Sequence, residues 1–401
     1  MAAAPQTRIL VLNCGSTSLK CKLFAMPSEE VLAEGSIERI GSDRARVKLR
    51  TSAEAPVHHE LPVPDHHAGI HHLLARLDKR GLGSPDAVAH KLAHGGERFT
   101  GAVVLDDAVL AELRALIPLA PLHNPPMIRG AEICRALLPE VPQYGVFETA
   151  FHTTLPDYAF IYALPWEWYE RHCIRRYGFH SASHRYITAR AAALVGRPAS
   201  ELRLISCHLG GGSSVCAVRF GRSIDISSGF TPQCGTVMAT RPGDFDPNII
   251  PYVIESLGLS PAAVSAAINQ ESGLKGVSGL SEDLRDLEAA AAAGHERARL
   301  AIDIHNHRVR HYIGAFAVAL GGFDVLAFTG GIGENSPTVR AAVCRDMEFL
   351  GVRLDPERNA TCRGTEADLT AAGWPVRVLA IPTDEEIIVA RDVAALIGLH
   401  Q

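Results

Sequence analysis

The chain lacks a strong charge of either sign, a long apolar run and a cysteine pattern, and each absence excludes something. Its 401 residues carry 39 Lys and Arg against 44 Asp and Glu, a formal net charge of -5, so there is no basic footprint for nucleic acid. No apolar run reaches the roughly 18 residues of a membrane span, and the opening MAAAPQTR has no apolar signal core behind it. A reducing cytoplasm is the expected compartment. The nine cysteines agree, because their number is odd and no two have CxxC spacing. Cys14, Cys21, Cys207 and Cys216 fall on expected strands, as small buried thiols. The pairs His58-His59, His66-His67 and His71-His72 hint at a metal. Flanked by Pro62, Pro64 and Asp65, they read instead as a solvated loop leading into a helix.

What is present is an ordinary globular composition, 47% hydrophobic and 21% charged, in a chain long enough for two or three domains. One phrase is written twice. Arg8 to Phe24, RILVLNCGSTSLKCKLF, returns two hundred residues later as Arg203 to Phe220, RLISCHLGGGSSVCAVRF. Each copy is an apolar run, a polar residue (Asn13 or His208), a Gly and Ser turn and a second apolar run, hence strand, tight turn, strand. Glycine lets the backbone approach a ligand, and successive N–H groups beside hydroxyls make a concavity that suits phosphate. Gly15, Ser16, Thr17 and Ser18, and Gly210, Gly211, Gly212, Ser213 and Ser214, therefore read as phosphate-facing turns, with Lys20 adding positive charge. Ordinary hairpin turns explain either copy alone. Two copies at half-chain spacing point to homologous halves facing one another across a nucleotide.

Between and beyond the hairpins, Val31 to Arg50 alternates as one or two strands, and a helix follows over Ala68 to Lys79. The strand Ala87 to Lys91 runs into HGGERF, and an amphipathic helix covers Asp107 to Leu116. Pro125 and Pro126 should keep a helix from starting after His123 and Asn124 and fix the direction of His123. Tyr144 to His152 reads as a strand ending at Glu148, a carboxylate aimed into a ligand crevice or resting in a solvated loop, and the first domain boundary falls near it. Ser183 is the expected cap of a helix over Tyr186 to Leu194. The long irregular stretch Ser227 to Pro247, with Arg241, Asp244 and Asp246, has the character of a functional loop. Glu282 to Leu320 should be helix interrupted near Gly294, its apolar positions facing a core or a second subunit. The strand Val325 to Thr329 enters GGIGEN ahead of a helix at Ser336-Pro337, a form common at nucleotide sites. A last strand, Val376 to Ile381, ends at PTDEE, with Glu385 opening the final helix.

NCGSTSLK, HGGERF, APLHNPP, FETAFH, YGFHSASH, HLGGGSS, SSGFTP, ATRPGDFDP, FTGGIGENS and IPTDEE occur in an order and spacing that resembles the acetate kinase family, which includes propionate and butyrate kinases, from about Arg8 to Ile397. The resemblance implies an α/β chain with a duplicated actin-like (ribonuclease H-like) βββαβαβα fold, two domains flanking a nucleotide cleft. These would be 1–150 plus 385–401, and 151–384 with the nucleotide site and dimer contacts of a homodimer. It also implies reversible transfer of the ATP γ-phosphoryl group to a short-chain carboxylate, giving ADP and an acyl phosphate, with Mg2+ or Mn2+. The carboxylate acceptor follows from the resemblance alone.

Residue by residue, the resemblance makes Arg241 and His180 the holders of carboxylate and transferring phosphoryl group, with His123 and His208 nearby and Glu148 a third catalytic candidate. Asn13 and Glu385 are its metal-linked positions. Ser16, Ser18, Lys20, Gly210, Gly211 and Gly212 are on its phosphate side, and Asp283, Arg285, Gly331, Ile332 and Asn335 on its adenine side. Leu122, Phe179 and Pro232 form its apolar pocket for the alkyl end of the acid. Four positions depart from the family pattern. Lys91 replaces an Arg, a point charge for a planar fork. Glu148 replaces an Asp and reaches further, so the two exchanges compensate if the groups face each other. Gly211 replaces an Asn near the phosphates. Ala93 replaces a Val of acetate-selective members and leaves space for a longer acid, so propionate should be accepted at least as well as acetate. The alternatives are an actin-like nucleotide-binding sensor or scaffold without acyl transfer, and a kinase for a different carboxylate.

Overall fold

The computed structural model describes residues 6–52 and 54–399, and the first five residues of MAAAPQTR lie outside them. Contacts divide the chain into two compact units, Met1–Ala150 with Asp384–Gln401, and Phe151–Thr383.

The first unit is built on eight strands: β1 Thr7–Cys14, β2 Ser18–Met26, β3 Glu30–Glu38, β4 Ser42–Thr51, β5 Glu54–Val63, β6 Ala87–Leu92, β7 Val103–Val104 and β8 Gln143–Phe147. They lie in the order β5-β4-β3-β2-β1-β6-β8-β7. β1 is antiparallel to β2 and parallel to β6, which is parallel to β8. The burial follows the pairing. β6 is buried throughout, as a parallel strand covered on both faces must be, and is apolar but for His90 and Lys91. β4 alternates, with Ala45, Val47 and Leu49 inward and Arg46, Lys48 and Arg50 in solvent. The helix His66–Lys79 buries Ile70, Leu73 and Leu77 and is capped by Asp65, and the helix Glu385–Leu396, capped by Asp384, packs on β1, β2 and β6.

Two expectations fail in this unit. The paired histidines are not in a loop: His58 and His59 belong to β5, and the other four to the helix His66–Lys79. The polar, Pro-flanked run hid an outer strand that needs only one apolar face. Nor do Pro125 and Pro126 prevent a helix. It runs Asn124–Leu137 with both prolines in its first turn, where the N–H they lack has no intrahelical partner anyway.

The second unit repeats the plan with six strands, β9 Arg203–Leu209, β10 Ser213–Arg219, β11 Arg222–Ile226, β12 Val325–Thr329, β13 Ala367–Asp368 and β14 Arg377–Ala380, in the order β11-β10-β9-β12-β14-β13. β9 is antiparallel to β10 and parallel to β12, which is parallel to β14. The run β2-β1-β6-β8 thus has its counterpart in β10-β9-β12-β14, with the repeated phrase forming the hairpin each time. One face, with Ile205, Cys207, Leu326 and Phe328, packs on Val309, Ile313 and Phe316 of the helix Glu296–Leu320. The other, with Leu204, Val325 and Ala327, packs on Ile187 and Ala191 of the helix Ser181–Val195. Gly294, at φ 92°, separates Leu284–Ala292 from Glu296–Leu320.

Two local readings change here. Ser183 is not a cap, because its helix begins at Ser181 after His180, which sits in the left-handed region at φ 59°. GGIGEN, expected as a glycine-rich turn between strand and helix, is itself a short helix, Gly330–Asn335, ahead of Pro337–Cys344. Cys14, Cys21, Cys207 and Cys216 are buried thiols on strands, as their sequence context indicates. Among the described residues no helix is long and apolar enough to cross a membrane.

Candidate active site

The second unit gathers most of the expected nucleotide residues into one place. A cavity of about 740 Å3 is lined by Gly210 and Gly211 of the hairpin turn, Asp283 and Arg285 at the start of a helix, and Gly331, Ile332 and Asn335 after β12. The parallel pairing of β9 with β12, with Thr329 opposite His208, brings the two glycine turns side by side. The walls are fixed by polar ties. Glu288 accepts hydrogen bonds from Ser336 (2.7 Å) and Thr338 (2.9 Å), joining two of the helices around the cavity. Arg340, wholly buried, donates to the carbonyls of Gly333 (2.8 Å), Glu334 (3.0 Å) and Cys362 (2.7 Å), and so joins the GGIGEN turn to the segment that presents Arg363. Asp283 and Arg285 pair with each other (2.5 Å), and the Arg285 bond holds the Asp283 carboxyl below its ordinary range. Such an exposed pair adds little stability.

At the hairpin turn the expected catalytic residues converge. A Cβ added to Gly212 would lie 2.9 Å from Nη2 of Arg241 and 3.3 Å from Nε2 of His180, so glycine is what lets the turn reach both groups. Arg241 Nη1 donates to the Pro232 carbonyl (3.2 Å), and burial pushes the guanidinium down from its ordinary value. The rings of His180 and His208 stack at 4.2 Å and 20°. His208 Nδ1 lies 2.7 Å from Ser183 Oγ, to which Thr383 also donates (3.1 Å). Ser183 thus ties the His208 ring to Thr383 and fixes its orientation beside His180. Ser214 Oγ lies 2.9 Å from His180 Nδ1 and 2.8 Å from His184 Nε2. With one proton it can donate to no more than one of the two rings. Under this pair, His152 lies between Ser223 Oγ (2.8 Å) and the Phe179 carbonyl (3.0 Å), and burial pulls it down to about 4, so it is neutral. It supports the buried Phe179 just before His180.

The first unit places charge at the corresponding sheet edge. Lys91 at the end of β6 is paired with Glu385 and lies 3.4 Å from Glu148, which follows β8. Their side chains are only 9%, 17% and 11% exposed. Burial pulls the Lys91 ammonium down, but Glu148 and Glu385 outweigh it and hold it above its ordinary value. Burial pushes Glu148 up, Lys91 opposes this, and Glu385 adds to the rise. Lys91 and Glu148 thus do face each other, which is the condition for the two exchanges to compensate. Asn13 lies near the end of β1, next to β6. Ser16, Ser18 and Lys20 are in and just after the first hairpin turn, closed by Gly15 N to Ser18 O at 2.9 Å. Ala93 is buried, while Leu122 is 60% exposed and His123 precedes a helix.

Sequence reading passed over His152, His184, Glu288, Arg340 and Arg363, and took Ser214 only as part of a phosphate-facing turn. FETAFH and YGFHSASH carried a signal for the two histidines, since His184 lies one helical turn from His180. The others announce themselves only through tertiary contacts. Among the described residues no group of three or more His, Cys, Asp or Glu side chains is placed to hold a metal.

These observations agree with comparisons to known proteins. The family model described as the acetokinase family matches residues 8–391. The acetate kinase of Moorella thermoacetica is 48% identical over 396 residues, covering 97% of this chain and 99% of the relative. A crystal structure of Porphyromonas gingivalis acetate kinase superposes with a TM-score of 0.91 at 42% identity, covering 98% of this chain and 100% of the other. One of a propionate kinase from Francisella tularensis gives 0.91 at 35% identity, covering 96% and 98%. The fold is accordingly the duplicated actin-like α/β fold of those kinases, and the chain belongs to the acetokinase family.

Proposed function

We propose that this chain is a phosphotransferase that moves the γ-phosphoryl group of ATP reversibly to a short-chain carboxylate, acetate and also propionate, giving ADP and an acyl phosphate. The observation that carries this reading is the convergence of Arg241 and His180 on Gly212, whose neighbours Gly210 and Gly211 line the cavity shared by Asp283, Arg285, Gly331, Ile332 and Asn335. Phosphoryl transfer asks for positioning and electrostatic stabilisation more than covalent help. Two anions must meet, and a guanidinium that among the described residues has no paired carboxylate, beside an imidazole, supplies donors where negative charge builds up. In this reading Gly210 to Gly212 and His208 take the phosphates of the donor, and Ser16, Ser18 and Lys20 add to that side. Ala93, Leu122, His123, Phe179 and Pro232 take the acid.

Asn13, Glu148 and Glu385 offer hard oxygen donors, and Lys91 offsets one of the two carboxylate charges. That set fits a Mg2+ or Mn2+ ion held mainly by phosphate oxygens and water. When bound, such an ion neutralises developing phosphate charge. A cytoplasmic homodimer belongs to the same reading.

Hydroxylamine trapping is the test. With acetate, ATP and Mg2+ the wild-type chain should accumulate acyl hydroxamate. Nucleotide binding without hydroxamate would favour the sensor reading instead. For the acid, kcat/KM for propionate should equal or exceed that for acetate, because a methylene in such a pocket is worth about 1–3 kcal/mol and Ala93 leaves space for it. A strong acetate preference contradicts that part.

A further inference from the structure

Arg241 sits on a loop whose neck is closed by one residue, Asp244. Gly235 N donates to Asp244 Oδ1 (2.8 Å), and Asp244 N donates back to the Gly235 carbonyl (3.0 Å). Cys234 Sγ donates to the same Oδ1 (3.0 Å). The remaining two acceptors of Asp244 are both taken by the long helix Glu296–Leu320. Tyr312 donates its hydroxyl to Oδ2, and Arg308, one turn earlier, donates to the Asp244 carbonyl (3.1 Å). Every polar atom of Asp244 is therefore engaged, two of them by one face of one helix. At the tip, Met238 N bonds the Arg241 carbonyl (3.0 Å), and Ala239 N bonds the Gly211 carbonyl (3.1 Å). The same loop that carries the guanidinium is thus tied to the glycine turn.

We infer that Tyr312, Arg308 and Asp244 are positioning residues for the reaction: the helix grips the loop at its neck and so sets how far Arg241 reaches toward Gly212 and His180. The physical case is one of register. A loop anchored only at its tip could slide along the hairpin turn. Anchored at the neck as well, it has one position, and a displacement of about 1 Å at a reacting group can cost on the order of a hundredfold in rate. The tyrosine hydroxyl reaches the carboxylate and the arginine the carbonyl because residues four apart lie on one helix face. None of the three residues belongs to the set that would touch nucleotide or acid.

The inference rests on the proposed acyl transfer for its rate readout but not for its structural one. Tyr312→Phe removes one hydroxyl and leaves the ring in place, so the fold should persist by circular dichroism. Its kcat should fall about ten- to a hundredfold, with KM for nucleotide within about twofold of wild type. Hydrogen exchange should quicken in a peptide spanning 230–247 and stay unchanged in the strands. In a double-mutant cycle, adding Asp244→Asn should cost Tyr312→Phe less than it costs wild type, because both act through one bond. Unchanged exchange in 230–247 overturns the grip, and faster exchange with unaltered kcat overturns its positioning role. If the wild-type chain makes no acyl phosphate, the functional reading fails by itself, and exchange still decides whether the grip exists.

Discussion

The two sheets have the same core order and opposite chemistry. In the first unit the edge carrying Asn13, Lys91 and Glu148 holds a cation that two carboxylates already satisfy, Glu148 and Glu385. In the second the edge carrying His208 and Thr329 holds glycine turns, stacked imidazoles and Arg241, which among the described residues makes no ion pair and gives one hydrogen bond to a backbone carbonyl. A paired cation contributes to the structure around it, and one without a carboxylate is available to an incoming anion. The duplication supplied one scaffold twice, and substitution at the strand ends divided the tasks.

That division is broken most severely by exchanging the two cations. Arg241→Ala should lower kcat by about 10²–10³-fold, the scale of losing a transition-state donor, while leaving the urea midpoint near that of wild type. A variant that unfolds, or one with normal turnover, would erase the contrast. Lys91→Met should do the reverse to stability, costing about 3–5 kcal/mol by leaving two buried carboxylates without their cation, as read from urea unfolding. If the loss is negligible, Lys91 is not the tie that its distances imply.

The comparison sharpens with pH. Burial pushes the Glu148 carboxyl up to about 7 in the folded chain, against about 4.3 unfolded. A raised acid costs stability once it ionises, so the cost is absent below pH 4, grows as pH climbs and is complete above 7. Wild-type stability relative to Glu148→Gln should therefore fall between pH 4 and 7. A flat difference, or one that rises with pH, contradicts the burial argument. The smallest effect belongs to Gly211→Asn. A Cβ there meets nothing within 4 Å, so stability should shift by no more than about 0.5 kcal/mol. A larger loss would mean that a side chain at 211 does not find the open space around the turn.

How much of this was legible in the sequence depends on how local the cause was. The two hairpins, the helix Glu296–Leu320 and the strand entering GGIGEN could be read because period and turn chemistry decide them within a few residues. β5 was hidden by its histidines and prolines, since an outer strand needs apolar side chains on one face only. The helix at Asn124 was hidden because proline forbids a helix interior but suits a first turn. Arg241 and His180 were legible through motif order, yet the residues that hold them were not. Tyr312 lies 71 residues from Arg241, and nothing in its own neighbourhood marks it as more than a helix position. Arg340 is wholly buried, and nothing beside it in the sequence marks it as a tie between segments.

Photolabelling with 8-azido-ATP, followed by peptide mapping, tests the central assignment most directly. Label should appear in the peptides carrying Asp283 to Arg285 or Gly330 to Ser336, compete with ADP, and survive Arg241→Ala. Label confined to the first unit, or no competed label at saturating analogue, would contradict it.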